Sequence, residues 1–279
     1  MMTQRILRGK PFWIILCSLA CILWIWNWAY HNKTIGFSVK KITSNFAYNP
    51  SWAIEEPQGK GLDELQSIFH QKFKYLASGS QSYAFSSEDG KYVIKFFRMK
   101  HLIPSIRDYI KPGRLEHRRQ NLLSIFGAHK LAYDELKEDS GLVYLHLNKT
   151  NHLKTKLKAT DRLGRSYEID LDKTEFVVQK KAELIFDRLK RLLDKGDRAG
   201  ADKAITSMLQ MIKRQLDMKI VDQDKAVRNN YGFIGDQPVH LDIGRLYRGE
   251  KPKDYDRVIE RINKWLHEND SDSYLPSSS

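Results

Sequence analysis

The sequence has 279 residues, with 47 Lys and Arg against 34 Asp and Glu and a formal charge of +13. This length gives room for one domain or two small ones with a buried core. With 41% hydrophobic and 29% charged residues, the composition excludes a disordered chain and a multi-span membrane protein. Both cysteines, Cys17 and Cys21, lie near the N-terminus. The rest of the chain therefore has no disulfide and no cysteine metal site.

The charge is unevenly distributed at the N-terminus. Residues 1–10 carry three bases and no acid, and residues 11–30 carry no charge. This uncharged run is long enough for a helix across a bilayer, which needs about 20 mostly apolar residues. Trp24, Trp26 and Trp28 lie near its end, where amphipathic rings favour the headgroup layer. We therefore predict a basic N-terminal segment at 1–10 and a single transmembrane helix at 11–30, which makes the chain a single-pass membrane protein.

Two questions about this run stay open. A cleaved signal peptide is the alternative to an anchor, although no clear small-x-small cleavage site follows the run. The bases on the two sides of the run balance, so the positive-inside rule does not give an orientation. An active kinase would need its C-terminal part in the cytosol, where ATP is.

The remaining chain changes from a β-rich to an α-rich pattern. Residues 31–60 mix Asn, Ser, Pro, Gly and Lys without periodicity, which predicts a linker. Alternating apolar runs then predict strands, and Asp89-Gly90 between two of them is a strong hairpin signal. Helical patterns follow Pro112-Gly113 as far as about residue 138, and recur at 183–217 and 254–267. The order predicts an α+β fold of two lobes. These are a β-rich lobe at 61–182 and a reduced α-helical lobe at 183–268, followed by a disordered tail at 269–279.

Lys95 is the first candidate functional residue. It lies in the apolar strand pattern at 92–97, where its side chain points to one face of the sheet. A lysine alone in such a strand is more often an edge or snorkelling residue. Here, however, a hairpin precedes it, and the small residues at 77–82 have backbone amides that could approach a phosphate. An ordinary turn is the simpler explanation of that loop taken alone.

A second group of polar residues lies near the C-terminus. Asp224 and Asn229 are five residues apart, and Asp242 lies thirteen residues beyond Asn229. Phosphoryl transfer needs a carboxylate to orient the attacking hydroxyl, oxygen ligands for Mg²⁺ and a lysine on the phosphates. These three residues and Lys95 supply those parts. Asp and Asn are also common in solvated loops, so an accidental match is the competing interpretation.

Residues 70–250 resemble the protein-kinase-like superfamily, which includes the aminoglycoside and choline phosphotransferases. The matching motifs are the loop around Gly79, Tyr92-Val93-Ile94-Lys95, the run from Ile220 through Asp224 to Asn229, and Asp242-Ile243-Gly244. The segment 176–181 lies where the family has its last N-lobe strand and the hinge that binds adenine. The resemblance implies ATP and Mg²⁺ as cofactors and a two-lobed protein-kinase-like fold.

The resemblance also implies a role for each matched residue. Lys95 would hold the phosphates and Asp224 would be the catalytic aspartate, while Asn229 and Asp242 would bind Mg²⁺. The nucleotide-binding residues expected from the loop are Gly79, Ser80, Gln81 and Ser82.

The sequence departs from the family at several positions. Ala77 and Ser82 stand at the two outer glycine positions of the loop, and Asp222 stands where the family usually has histidine. The helix acid that pairs with the lysine is ambiguous. Glu135 is the first choice and is counted among the nucleotide-binding residues, and Glu116 is the alternative. The stretch after Asp242 has no Ala-Pro-Glu, which predicts a minimal C-terminal lobe.

Three functions follow from these patterns. The first is a membrane-anchored kinase-like enzyme that transfers the γ-phosphoryl group of ATP to an unknown hydroxyl acceptor. The second is a pseudokinase that acts as a nucleotide-binding or interaction module, and the third is a basic membrane-anchored binding protein without activity. Basic runs at 149–158 and 180–191 are typical of solvated surfaces, and contact with anionic lipid is the alternative. The sequence shows no recognition-helix, zinc or RNA-binding motif, so we predict no specific nucleic-acid binding.

Overall fold

The computed structural model describes residues 10–34, 37–104, 106–224, 226–250 and 254–269. Most of the predicted basic segment at 1–10 and of the predicted tail at 269–279 lies outside these residues. The helices are α1 (Lys10–Thr34), α2 (Lys60–Phe69), α3 (Ile106–Ile110), α4 (Arg114–Glu135), α5 (Lys137–Ser140), α6 (Ile185–Leu193), α7 (Arg198–Asp217) and α8 (Asp254–Asn269). The strands are β1 (Lys72–Ser78), β2 (Ser82–Ser87), β3 (Tyr92–Phe97), β4 (Leu142–His146), β5 (Lys156–Thr160), β6 (Ser166–Asp170), β7 (Phe176–Lys180), β8 (Glu183–Leu184), β9 (Ile220–Asp222), β10 (Tyr231–Ile234), β11 (Gln237–His240) and β12 (Leu246–Arg248).

A seven-stranded sheet in the order β4-β7-β3-β2-β1-β5-β6 forms the N-terminal lobe. The β2–β3 hairpin turns at Gly90, whose positive φ of 71° a glycine adopts without strain. Phe85, Phe96 and Phe176 are fully buried on one face of this sheet. The β-rich lobe and its predicted strands are therefore confirmed. The sequence analysis did not predict β5. Its exposed lysines alternate with buried Leu157 and Ala159, but they belong to the basic run at 149–158, which was interpreted as a solvated surface.

The segment predicted as a linker packs against this sheet instead. Phe37 is buried, and its ring contacts those of Tyr83 and Phe85 edge-on, with centroids 5.2 and 5.0 Å away. Ile42 and Trp52 are also buried. The linker prediction for residues 31–60 is therefore wrong over 37–52. Isolated apolar residues can each be buried against a sheet without producing the periodicity that identifies a helix or a strand.

Helices α6, α7 and α8 form the second lobe around a separate apolar core. Phe186 of α6 stacks on Trp265 of α8 with ring centroids 5.0 Å apart, and Met208 of α7 is fully buried between them and the rest of the core. The antiparallel β10–β11 hairpin and the β9–β12 pair lie at the side of this lobe that carries the candidate motifs. A β-rich lobe followed by a helical lobe fits a kinase-like fold.

Helix α1 covers the run that was predicted to span a membrane. In the part of the chain that the structure describes, however, no helix has the length and apolarity that a bilayer crossing requires. The predictions of a transmembrane helix at 11–30, of a membrane anchor and of single-pass membrane localisation are therefore wrong. The prediction was based on the absence of charge over 11–30, whereas a bilayer crossing requires about 20 mostly apolar residues, and this run also contains Ser18 and Asn27.

Candidate active site

Lys95 lies in the middle of β3, between Ala84 of β2 and Val177 of β7. Its Nζ donates a 2.9 Å hydrogen bond to the carbonyl oxygen of Leu241, the residue before Asp242. Burial lowers the pKa of the Lys95 ammonium, and the nearby Asp242 carboxylate acts on that pKa in the opposite direction. The structure therefore brings Lys95 close to the segment that carries Asp242.

Gln179 of β7 is a second residue of the sheet that holds this segment. Its side chain is only 2% exposed, and its Nε2 donates to the carbonyl of Ser140 at 2.8 Å and to that of Leu241 at 3.3 Å. Donors from Gln179 and Lys95 thus converge on one carbonyl oxygen, and this fixes the chain just before Asp242 to the sheet. The sequence analysis included Gln179 only in the hinge segment and found no signal for this contact.

The small-residue loop joins β1 to β2 and reaches the Asp242–Gly244 segment. The Gly79 N–H donates to the Ser82 carbonyl at 3.0 Å, and the Arg98 N–H donates to the Gln81 carbonyl at 2.8 Å. The Gln81 side chain lies directly on Gly244, since a Cβ added at Gly244 would be 1.9 Å from Gln81 Oε1. This close approach is possible because residue 244 has no side chain. Together with Ser80, Gln81 and Gly244 line a cleft of about 280 Å³.

The predicted catalytic segment follows β9. Asp224 is half-buried, its N–H donates to Asp222 Oδ1 at 2.8 Å, and its own Oδ1 accepts from the Ala226 N–H at 3.0 Å. Asn229 is exposed. The adjacent Asn230 is only 1% exposed, and its Nδ2 donates to Asp222 Oδ2 at 3.1 Å. The amide that is fixed within this segment is therefore that of Asn230, which the sequence analysis did not identify.

His240 connects this segment to the one that carries Asp242. Its side chain is 1% exposed, its Nε2 is 3.2 Å from Asp222 Oδ2, and its Nδ1 is 3.1 Å from Gln215 Oε1. The sequence analysis missed this contact. The available signal was the pairing of an unusual acid at position 222 with a histidine two residues before Asp242.

Neither carboxylate that was predicted to pair with Lys95 is placed beside it. Glu135 forms an ion pair with Arg248 of β12, and Glu116 accepts a 2.6 Å hydrogen bond from Gln120. The prediction for Glu135 misjudged the helix face, because residues six apart on α4 point in different directions from the axis. Residue 129, six positions earlier, is the one that lies toward the cleft.

His129 is the residue of α4 that is electrostatically coupled to the cleft. It is 5% exposed, and its Nδ1 lies 2.8 Å from the carbonyl oxygen of Ile125. Burial is the main cause that lowers the pKa of His129 to about 4. Lys95 lowers it further, while the Ile125 carbonyl and Asp242 raise it. The helix therefore presents a neutral imidazole near Lys95 at neutral pH, in place of the expected carboxylate.

The chemistry of the available donors fits Mg²⁺ that arrives with phosphates. Asp242 is half-buried, and no hydrogen bond to its carboxylate is found among the described residues. Magnesium is usually held by one or two carboxylates together with phosphate oxygens and water. No group of three or more His, Cys, Asp or Glu side chains that could hold a metal occurs in the described ranges. A magnesium site at Asp242 and Asn229 would therefore need phosphate oxygens and water to complete it.

Several bases of the two basic runs have partners within the chain. Arg191 pairs with Glu183 at 2.7 Å, and Arg188 pairs with Asp236 at 2.6 Å. In the other run, the Lys149 Nζ donates to the Ser44 carbonyl. Contact of these runs with anionic lipid stays a prediction, as does the expectation of no specific nucleic-acid binding.

Known structures with some similarity to this chain include a kinase. The co-crystal structure of WbdD with the kinase inhibitor LY294002 is 14% identical with a TM-score of 0.39, over 72% of this chain and 38% of that one. Another structure, of the bifunctional kinase-methyltransferase WbdD, is 15% identical with a TM-score of 0.35, over 67% of this chain and 33% of that one. The complex of Rv3197 from Mycobacterium tuberculosis with erythromycin is 11% identical with a TM-score of 0.32, over 73% of this chain and 55% of that one.

This chain therefore spans little more than a third of the length of WbdD. No protein-family model and no curated protein matches the sequence. The kinase-like interpretation of the site accordingly depends on the placement of the chain's own residues.

Proposed function

We propose that the chain is a kinase-like phosphotransferase that binds Mg-ATP between its lobes and transfers the γ-phosphoryl group to a hydroxyl acceptor. The observation that carries this proposal is the convergence of Lys95 and Asp242, which come from different lobes and are linked through the Leu241 carbonyl at 2.9 Å. A cation for the phosphates beside a carboxylate for Mg²⁺ is the arrangement that phosphoryl transfer needs.

Each site residue has a role in this proposal. Lys95 binds phosphate oxygens, the loop at 79–82 covers them, and Asp242 and Asn229 hold the cation. When bound, Mg²⁺ neutralises charge on the phosphates. Asp224 orients the acceptor hydroxyl and takes its proton, while the acceptor oxygen forms a bond to phosphorus and the bond from phosphorus to the ADP oxygen breaks.

A catalytically inactive nucleotide-binding module is the second candidate, and two contacts favour it. Gln81 lies on Gly244, and the Lys95 ammonium is bonded to a backbone carbonyl. Both contacts involve groups that would have to turn toward phosphates. The third candidate, a basic binding protein with an accidental motif match, predicts that Lys95 and Asp242 lie far apart, and the hydrogen bond from Lys95 to the carbonyl of the adjacent Leu241 argues against it.

The test is Mg-ATP binding by the full chain, followed by turnover. At an ATP concentration 100 times the Kd, binding should stabilise the folded protein by about 2.7 kcal/mol. We expect an increase in Tm with Mg-ATP that EDTA abolishes, and ADP formation in the same sample. Asp242→Ala should lose both, whereas Asp236→Asn, on the exposed turn between β10 and β11, should keep both.

Two results would decide against this reading. If Mg-ATP does not raise the Tm of the wild-type chain, nucleotide binding is wrong. If the Tm rises but neither ADP nor a phosphorylated acceptor forms, the inactive module is the correct function.

A further inference from the structure

Asp222 links the catalytic segment to the metal-binding segment by hydrogen bonds. Its Oδ1 accepts from the backbone N–H of Asp224 at 2.8 Å. Its Oδ2 lies 3.1 Å from Asn230 Nδ2 and 3.2 Å from His240 Nε2. One carboxylate therefore contacts the candidate catalytic residue, the end of its loop and the strand that leads to Asp242.

The connection continues to the N-terminal lobe through the backbone. The Leu241 N–H donates to the Asn230 carbonyl at 2.6 Å, and the Leu241 carbonyl accepts from Lys95 Nζ at 2.9 Å. The continuous path thus runs from Asp224 through Asp222 and Asn230 to Leu241 and Lys95. A shift of Asp222 would therefore change the position of Asp224 relative to Lys95 and Asp242, the residues proposed to contact the nucleotide phosphates and their cation.

Gln215 fixes the other side of the His240 ring. Its side chain is buried, its Oε1 lies near His240 Nδ1, and its Nε2 is buried without a partner in the described part of the chain. Oxygen and nitrogen of such an amide are assigned from their contacts. When the amide oxygen and nitrogen of Gln215 are exchanged, Gln215 Nε2 donates to His240 Nδ1. The ring proton of His240 then lies on its Nε2 and is donated to Asp222.

Replacing only one member of the buried Asp222–His240 pair should lower the stability of the folded protein. A buried polar group that loses its partner pays its full desolvation cost, so a single substitution leaves the other member unsatisfied. The side chain of Asp222 is 8% exposed and that of His240 is 1% exposed. The two residue types are also unusual, because an acid stands at position 222, where the protein-kinase-like superfamily usually has histidine. The histidine is instead on the partner segment.

We propose that Asp222 and His240 are a positioning pair for the phosphoryl transfer proposed above, in which Asp222 fixes the backbone of Asp224 and His240 fixes the segment that carries Asp242. This inference rests on the proposed function. The hydrogen bonds given above join the pair to Asp224, Asn230 and Gln215 and do not involve Lys95 or the loop at 79–82. Loss of the pair should therefore lower kcat and leave the KM for ATP almost unchanged, because misplacing a reacting group by about 1 Å can reduce the rate about 100-fold.

The experiment compares turnover of Mg-ATP by the full-length wild type, Asp222→Asn, His240→Gln and Asp236→Asn. We expect kcat to fall about 10- to 100-fold in the first two variants, with KM for ATP within about threefold. Asp236→Asn should match the wild type.

A spectroscopic measurement tests the pair without turnover. In the proton NMR spectrum of the wild type, the Nε2–H proton of His240 should be protected from exchange and shifted downfield. The signal should disappear in His240→Gln and should exchange faster in Asp222→Asn. If any variant fails to fold, this measurement on the wild type still decides whether the pair exists.

The possible failures can be told apart. An unchanged kcat in a folded Asp222→Asn variant, or a rise in KM for ATP as large as the fall in kcat, overturns the inference. Absence of the protected imidazole proton from the wild-type spectrum also overturns it. If the wild type neither binds nor turns over Mg-ATP but shows the protected proton, the proposed function has failed and the pair is a structural contact.

Discussion

The two sides of the candidate cleft are stabilised in different ways. On the β3 side, Phe96 packs with Phe85 and Phe176 at ring-centroid distances of 5.9 and 6.0 Å. On the other side, the loops with Asp224 and Asp242 combine the burial of Val227 and Ile243 with the polar contacts described above. Apolar burial is non-directional and shared among many side chains, whereas a hydrogen bond depends on one partner in one place. Substitutions in the sheet should therefore lower the free energy of unfolding, and substitutions in the loops should affect activity first.

The largest effect on stability is expected from Phe176→Ala. Phe176 is fully buried and contacts the rings of Phe69 and Phe96. Removing its ring leaves a cavity in the sheet core, so the free energy of unfolding should fall by about 3–5 kcal/mol in a urea titration. Tyr109→Ala is the matched control, because that ring is 82% exposed and its removal should change stability by less than about 0.5 kcal/mol. Equal losses in the two variants would contradict the aromatic core.

The same contrast explains how much the sequence alone predicts. The sequence predicts strand β3 correctly because its apolar pattern is local and begins directly after the Gly90 turn. Lys95, Asp224 and Asp242 were proposed from their order along the chain. The polar partners were not, because a pattern along the chain does not show which distant groups meet. Lys95 and the Leu241 carbonyl are 146 residues apart, and Glu135, which was expected at Lys95, lies on a different face of its helix.

The pH dependence of stability tests whether the His129 imidazole is buried in its neutral form beside Lys95. Burial lowers the pKa of His129 to about 4 in the folded state from 6.5 in the unfolded chain, so the folded state binds fewer protons between these values. Stability should therefore rise with pH through this window and fall on acidification. Between pH 7 and pH 5 the contribution of His129 to the free energy of unfolding should fall by about 2 kcal/mol.

Urea midpoints of the wild type and His129→Gln at pH 7 and pH 5 measure this contribution. The glutamine variant should lose less stability on acidification, because it has no imidazole to protonate. His146, whose pKa burial also lowers, is present in both proteins. Exposed His117, on the same helix, provides the control His117→Gln, which should retain the wild-type pH dependence. Parallel curves for wild type and His129→Gln would show that His129 is not buried as a neutral group.

Gly232→Ala tests packing within the helical lobe beside the cleft. A Cβ at Gly232 of β10 would lie 2.5 Å from the backbone carbonyl oxygen of Glu183, on the paired strand β8. Backbone cannot move aside without breaking that pairing, so the variant should lose about 1–3 kcal/mol of unfolding free energy. A stability within about 0.5 kcal/mol of the wild type would show that β8 and β10 are not held at this distance.

Gly244→Ala should have the smallest effect on stability, although its new Cβ makes the shorter contact. The atom it meets, at 1.9 Å, is Oε1 at the end of the flexible Gln81 side chain. A rotation of Gln81 relieves the clash, so we expect a loss of less than about 1 kcal/mol. In a Gln81→Ala background, Gly244→Ala should cost still less, since the obstructing side chain is gone. This coupling between the two substitutions, measured by urea titration of the four proteins, tests directly whether the loop at 79–82 contacts the Asp242–Gly244 segment. If the two changes in free energy simply add, Gln81 does not lie on Gly244.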